Sequence, residues 1–435
     1  MRFLAISAIA LAYPCLAWGQ EDADLARIPD VAPATLPADR DAQVVFLEAV
    51  AIDGIDRAPF DSPRAGRLFL DLRLSGETTS EMRWTLSNRT SLNFVQDQPV
   101  SWSGQSVRND VREAYLSWRP TGASYLDVGR INVRGGIALG YQPTDLLAAG
   151  SAVPQASDDP TAAREGRLGV AMVRYQALWT AAALSVIYAP RLAEPRHQGE
   201  PGPLALRLDR TSVEDRWLVT ATFSHAPLSP QVTAALIGDR PVLAISGSHL
   251  VGSSVVLYGE WSLTRDPTLL GLAGAGAEPA RWGDQGRRTI QRATLGASWA
   301  NALLRTSVNL EYHYNGAGVA GSEWSRYWRS YDDSDDPVAR RARAIAADRQ
   351  EPLGTHEAFL RVQLDDMPSL GFTLVGFSVV NLHDGSRFSQ GSVTYDVDRH
   401  WTAAFHLTLT AGKADSEFGS LPRRFAATLQ LQRYF

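Results

Sequence analysis

Charged side chains recur at every second residue, opposite rows of apolar ones. In ALLRTSVNLEYHY (302–314), Leu304, Thr306, Val308, Leu310, Tyr312 and Tyr314 share one parity, and Arg305, Ser307, Asn309, Glu311 and His313 share the other. Side chains alternate across a strand, so such a segment has one apolar and one charged face. The same alternation places Arg67, Arg73, Arg83, Arg89, Arg174, Arg292 and Arg361 on polar faces. Asp71, Glu113, Asp127, Glu260 and Glu357 fall there too. Guanidinium groups fixed on a wall favour anions, and facing carboxylates add a transverse field. The opposite outcome is also open: the charges pair with one another and brace a filled interior.

Catalysis finds little support. The eight histidines show no HExxH or other ligand spacing, and no GxSxG forms a nucleophile elbow. Asp332, Asp333, Asp335 and Asp336 lack the spacing of a calcium loop. Cys15 is the only cysteine and lies in the leading segment, so disulfides and thiolate sites are excluded downstream. The expectation is no enzyme, no metal and no cofactor. A formal net charge of −5 gives no sign of nucleic-acid binding.

The elements that position these charges are long strands. Alternating segments read at 43–50, 67–74, 81–94, 112–119, 124–131, 168–178, 181–189, 216–225, 231–238, 241–249, 254–264, 289–299, 302–314, 355–364, 371–380, 388–397, 400–410 and 423–435. Many reach the roughly 9–11 residues that a tilted strand needs to cross a membrane. Long connections (132–167, 190–215, 265–288, 315–354) alternate with short ones (120–123, 179–180, 226–230, 300, 398–399). Trp118, Trp179, Trp299 and Trp401 lie outward beside short turns, and Trp217, Trp261 and Tyr312 lie outward near long loops, as two interfacial girdles would. The fold class is all-β: a transmembrane antiparallel β-barrel of about 16–18 strands, wide enough for an aqueous interior.

Three regions follow. Residues 1–19 read as a signal peptide: Arg2, an apolar run Phe3 to Ala12, Pro14, then Ala17-Trp18-Gly19 before cleavage. Residues 20–42, rich in Pro, Ala and Asp, read as a periplasmic lead-in, and 43–435 as the barrel. Loop 132–167 is a candidate to fold inward. Loop 315–354 holds VARRARAIAADR after Pro337, a helix that would plug or gate the interior.

The last strand, RRFAATLQLQRYF, alternates Phe425, Ala427, Leu429, Leu431 and Phe435, broken by Arg433. It resembles the C-terminal assembly signal of outer-membrane barrels, with Phe435, Leu431 and Leu429 as its residues and Arg433 as a departure. The whole chain after the signal, from Gln20, resembles the Gram-negative porin-type superfamily, including the alginate-export-like barrels and the 18-strand barrels specific for organic acids. GRINVRGGIALGYQPTD (129–145) resembles a loop signature of large Gram-negative barrels, with no role implied. The resemblance implies a bacterial outer-membrane channel for small polar or anionic solutes, or for an anionic polymer such as a polysaccharide. Its partners would be outer-membrane lipid, lipopolysaccharide and the barrel-assembly machinery. The alternatives are a plugged structural or surface-interaction barrel and, third, an outer-membrane hydrolase.

Overall fold

The computed structural model describes residues 43–58, 62–100, 103, 106–195, 202–224, 226, 228–275, 286–332, 336–365 and 371–435. The expected signal peptide (1–19) and lead-in (20–42) lie outside the described residues.

Eighteen strands run in chain order: β1 (Gln43–Asp56), β2 (Ala65–Thr79), β3 (Met82–Val95), β4 (Val107–Thr121), β5 (Ser124–Ile131), β6 (Val170–Leu178), β7 (Ala182–Ala189), β8 (Arg216–Phe223), β9 (Gln231–Ile237), β10 (Arg240–Val251), β11 (Val255–Asp266), β12 (Arg288–Asn301), β13 (Thr306–Asn315), β14 (His356–Leu364), β15 (Phe372–Asn381), β16 (Arg387–Asp396), β17 (Trp401–Ala411) and β18 (Arg423–Tyr434). Each pairs antiparallel with its neighbours, and β1 pairs with β18, so the sheet closes. Closure removes every sheet edge, which is what a bilayer demands of strands. Among the described residues no helix is long and apolar enough to cross a membrane.

Alternation sorts the faces as expected. Leu68, Leu70, Leu116, Val173, Trp217, Leu257, Leu295, Leu310, Leu360 and Leu429 are exposed on the outside. Trp118 and Trp179 lie outward beside the short turns, while Trp217 and Tyr188 stack at 4.3 Å at the long-loop end.

Several strands run beyond their expected ends, among them β1, β2 and β4, and one turn is displaced. The turn expected at 300 lies at 302–305. Pairing continues to Asn301↔Thr306, and the Asn301 side chain closes the turn by accepting the Leu304 N–H at 2.9 Å. Arg305 therefore sits in the turn, with φ +47°, and not inside a strand.

Loop 132–169 carries α1 (Pro160–Gly166), and loop 190–215 carries α2 (Leu208–Thr211). Beyond β11 comes α3 (Leu269–Ala273), and loop 316–355 holds α4 (Gly321–Asp332) and α5 (Val338–Arg349). The expected helix is α5; its N-cap is Pro337, and Asp336 just before it accepts from Val338 N–H at 3.1 Å. Helix α4 was not foreseen. Its Trp324, Tyr327 and Trp328 pack with Leu269, Val338 and Ala342 into an apolar cap over the long-loop end.

Candidate functional site: the barrel interior

Loop 132–169 crosses the interior, and carboxylates hold it there. Glu260 on β11 accepts the backbone N–H groups of Ile137 and of Ala138 (2.6 Å), and the Thr144 hydroxyl (2.6 Å). Glu311 on β13 accepts the N–H groups of Leu139 (2.7 Å) and Gly140 (2.9 Å) and the Tyr258 hydroxyl (2.7 Å). Successive N–H groups aimed at one anion form a nest. Hydrogen bonds to charged groups contribute about 1.5–3 kcal/mol each. Segment 129–145 thus has a structural role: it supplies the nest. Two glycines permit it. Gly136 has φ +80°, and a Cβ on Gly140 would sit 2.7 Å from His313 Cε1. His313 continues the network, with Nε2 2.8 Å from Glu311 and Nδ1 3.8 Å from Glu357.

The loop is fastened at two further places. Leu147 packs on inward apolar residues of β5–β8, among them Ile131, Met172, Ile187 and Leu218. At the far end Arg361 on β14 meets Asp159 at 2.9 Å, and Gln390 on β16 donates to Asp158 at 2.9 Å. Burial raises the Asp158 carboxyl above its ordinary value, while His406, Gln390 and Arg67 pull it down.

The remaining arc is basic. Asp71 on β2 is shared by Arg89 (2.8 Å), Arg112 (2.5 Å) and Arg73 (3.3 Å), and Arg89 also reaches Glu48 at 3.0 Å. Three guanidinium groups against two carboxylates leave this cluster cationic. Arg73 remains half-exposed. Arg67 stands nearer the long-loop end of the same wall, within electrostatic reach of Arg108 and of Asp158 on the loop.

The other expected residues scatter. Arg83 is exposed near the short turn, 3.0 Å from Glu77. Arg174 is buried 2.9 Å from Asp127. Arg292 is 3.1 Å from Glu351 and ties β12 to the end of loop 316–355. Arg305 lies in the turn described above, remote in sequence from the loop contacts. Glu48, Arg108 and Arg112 were missed. A bulge between Ser87 and Asn88, opposite Val111–Glu113, puts Arg112 and Glu113 on the same face and defeats simple parity counting.

The cap joins the loops. Arg343 on α5 donates to Ser420 Oγ and to the Glu417 carbonyl, both at 2.6 Å. Gln350 donates to Ala148 O on the crossing loop at 2.8 Å.

The closed eighteen-strand barrel matches solved structures in fold. OccAB1 of Acinetobacter baumannii aligns over 94% of this chain and 99% of its own, with TM-score 0.54 and 9% identity. OccAB4 of the same organism aligns over 91% and 98%, with TM-score 0.52 and 8% identity. The fold is that of the Gram-negative outer-membrane porin-type barrels. At these identities the likeness speaks for the fold. No family model and no curated protein matches the chain. Within this barrel, the crossing loop and the helical cap decide what part of the interior stays accessible.

Proposed function

We propose that the protein is an outer-membrane channel for small anionic or polar solutes, and that they pass along the inner face of β1–β4. One observation carries this reading. The crossing loop is held to β11, β13, β14 and β16 by hydrogen bonds and to β5–β8 by apolar packing. It thereby faces, from across the interior, the arc that bears Arg67, Arg73, Arg89 and Arg112. Arginines lining a passage favour anions.

In this reading the expected set divides. Arg67 and Arg73 line the path, with Arg89 behind them on Asp71 and Arg83 at the short-turn exit. Glu260, Glu311, Glu357, Arg292 and Arg361 position the loops, Arg174 braces the wall at Asp127, and Arg305 plays no part in the path.

Planar-bilayer recording tests it. The wild type conducts with a modest anion preference. Replacing Arg67 and Arg73 together with Ala moves the reversal potential toward cations, and the shift shrinks in 1 M salt, where screening acts over about 3 Å. A silent wild type would favour the plugged structural barrel. Conduction with an unmoved reversal potential would place the path elsewhere.

A further inference from the structure

Strand β4 outruns its neighbour. It has 15 residues and β5 has 8, and their pairing stops at Ala114↔Arg130. Residues 107–113, on the long-loop half of the wall, therefore face no strand on that side. Irregular chain takes the place of one. Gly169 N–H donates to Arg112 O at 2.8 Å, and Asn109 N–H donates to Pro203 O at 3.1 Å. Glycine is required at this approach, because a Cβ on Gly169 would lie 2.6 Å from Arg112 O. Segment 202–212 of loop 190–215 thus completes the wall without a regular ladder. In a membrane, irregular backbone has to be satisfied by protein, so side chains hold this seam.

Those side chains are cationic. Arg130 stands on the outward parity of β5, two residues from the exposed Val128, yet it is buried. Its guanidinium donates to Gly169 O (2.9 Å), Leu206 O (2.6 Å) and Thr211 Oγ1 (3.4 Å). Among the described residues no carboxylate pairs with it, and Asp110 acts on it at longer range. Asp110 already meets Arg108 Nε at 2.8 Å and lies 3.2 Å from Arg207 Nε. Asp209 and Arg210, beside Arg207, offset each other. Three guanidinium groups therefore share one carboxylate. Arg108 Nη2 and Arg207 Nε are buried and donate to no acceptor. Arg207 is also held at φ +55°, in the left-handed region. Strain of this kind collects at ligand sites, and an ionisable group at membrane depth marks a function. Leu204 and Leu206, on the same segment, are exposed.

We propose that the seam between β4 and segment 202–212 binds an amphiphile with an anionic head and an acyl chain, entering sideways from the outer leaflet. Arg108, Arg130 and Arg207 take the head, a carboxylate or a phosphate, through charge-assisted hydrogen bonds. The chain lies along Leu204 and Leu206 and covers their apolar surface. A small hydrophilic anion would satisfy the guanidinium groups and leave the leucines bare, and a neutral lipid would do the reverse. This inference is independent of the conducted solute.

Fluorescence titration of the purified protein in nanodiscs of zwitterionic lipid tests it, with dansyl-undecanoate as the probe. Saturable binding is expected, and dansylglycine, which has the anion without the chain, is expected not to bind. Arg130→Met and Arg207→Met, each checked for heat-modifiable folding, are expected to weaken binding at least tenfold, whereas Arg73→Ala leaves it unchanged. Arg207→Met, outside the strands, decides the matter if Arg130→Met does not fold. Cys15, in the expected signal peptide, is the only cysteine, so single labels are specific. A nitroxide on Leu204→Cys is expected to quench the bound dansyl group, and one on Leu295→Cys of β12 is not. Competition by anionic phospholipid placed in the disc assigns the head to a resident lipid, and its absence assigns it to a free acid; both uphold the site. No saturable binding, equal binding of dansylglycine, unchanged affinity in the folded arginine variants, loss of binding in Arg73→Ala, or equal quenching from both labels overturns the proposal.

Discussion

Arg361 Nε donates to Asp159 Oδ2 at 2.9 Å, and this pair ties the far end of the crossing loop to β14. Asp159 also accepts the Thr161 N–H at 2.8 Å as the cap of α1. Both partners are buried. Removing one member of a buried pair costs about 3–5 kcal/mol, because the other charge is stranded. Arg361→Ala is therefore expected to loosen the loop: larger mean conductance and more open-channel noise in single-channel records. A changed reversal potential with unchanged noise would make Arg361 a path charge and not a latch.

The nest makes a second prediction. Glu260→Gln with Glu311→Gln keeps the shape and removes both charges that the loop N–H groups face. The loop should then expose Arg164 and Arg167, now partly and fully buried, to trypsin while the barrel stays heat-modifiable. Gly140→Val should act the same way through contact with His313 and Phe359. Unchanged cleavage in both variants would mean that packing at Leu147 alone holds the loop.

A third prediction concerns pH. Glu417, in the loop between β17 and β18, is pushed up to about 8 by burial, with Glu357 and Asp384 adding like charge. Asn381 Nδ2, donating at 2.6 Å, and Arg343 oppose the shift. A carboxyl raised on folding stabilises most below its unfolded value, about 4.3, and loses that stabilisation as pH rises through the folded value. The cap over α5 should thus loosen between about pH 5 and 8. Amide exchange in 338–349 should quicken with pH beyond its intrinsic base catalysis, and Glu417→Gln should remove the excess. A wild type that follows the intrinsic rate alone would rule this out.

The barrel was legible because its strands repeat one rule. Period-two alternation, tryptophans beside short turns and the closing Phe435 all survive in a single sequence. The interior was not legible in the same way. Glu260 and Glu311 read as wall charges, yet each binds backbone more than a hundred residues away, and a backbone N–H has no letter in the sequence. Arg305 was misplaced by a turn that Asn301 shifts along the chain. Arg112 was hidden by the bulge in β4. Helix α4 did leave a signal: Trp324, Tyr327, Trp328 and Tyr331 follow the three-and-four spacing of a helical face.

The last prediction concerns closure. Phe435 N–H donates to Val45 O at 3.0 Å, so the terminal residue completes the β18–β1 seam that makes the sheet a barrel. Its ring faces outward and is largely exposed. Arg433, the departure from the apolar row, stands 4.9 Å from the Phe435 ring and 5.5 Å from the Trp401 ring. A guanidinium over an aromatic face contributes about 0.5–1 kcal/mol at exposed sites, and its long stem lets the charge reach the interface. The two residues should therefore behave differently. Deleting Phe435 removes both a seam hydrogen bond and the end of the lipid-facing row, and should lower the amount of heat-modifiable protein in the outer membrane. Arg433→Leu exchanges one cation–π contact for apolar surface and should leave that amount nearly unchanged. Quantitative blotting of membrane fractions separates them. Equal losses would show that Arg433 is itself part of the assembly signal, and no loss from the deletion would show that the seam closes without its final residue.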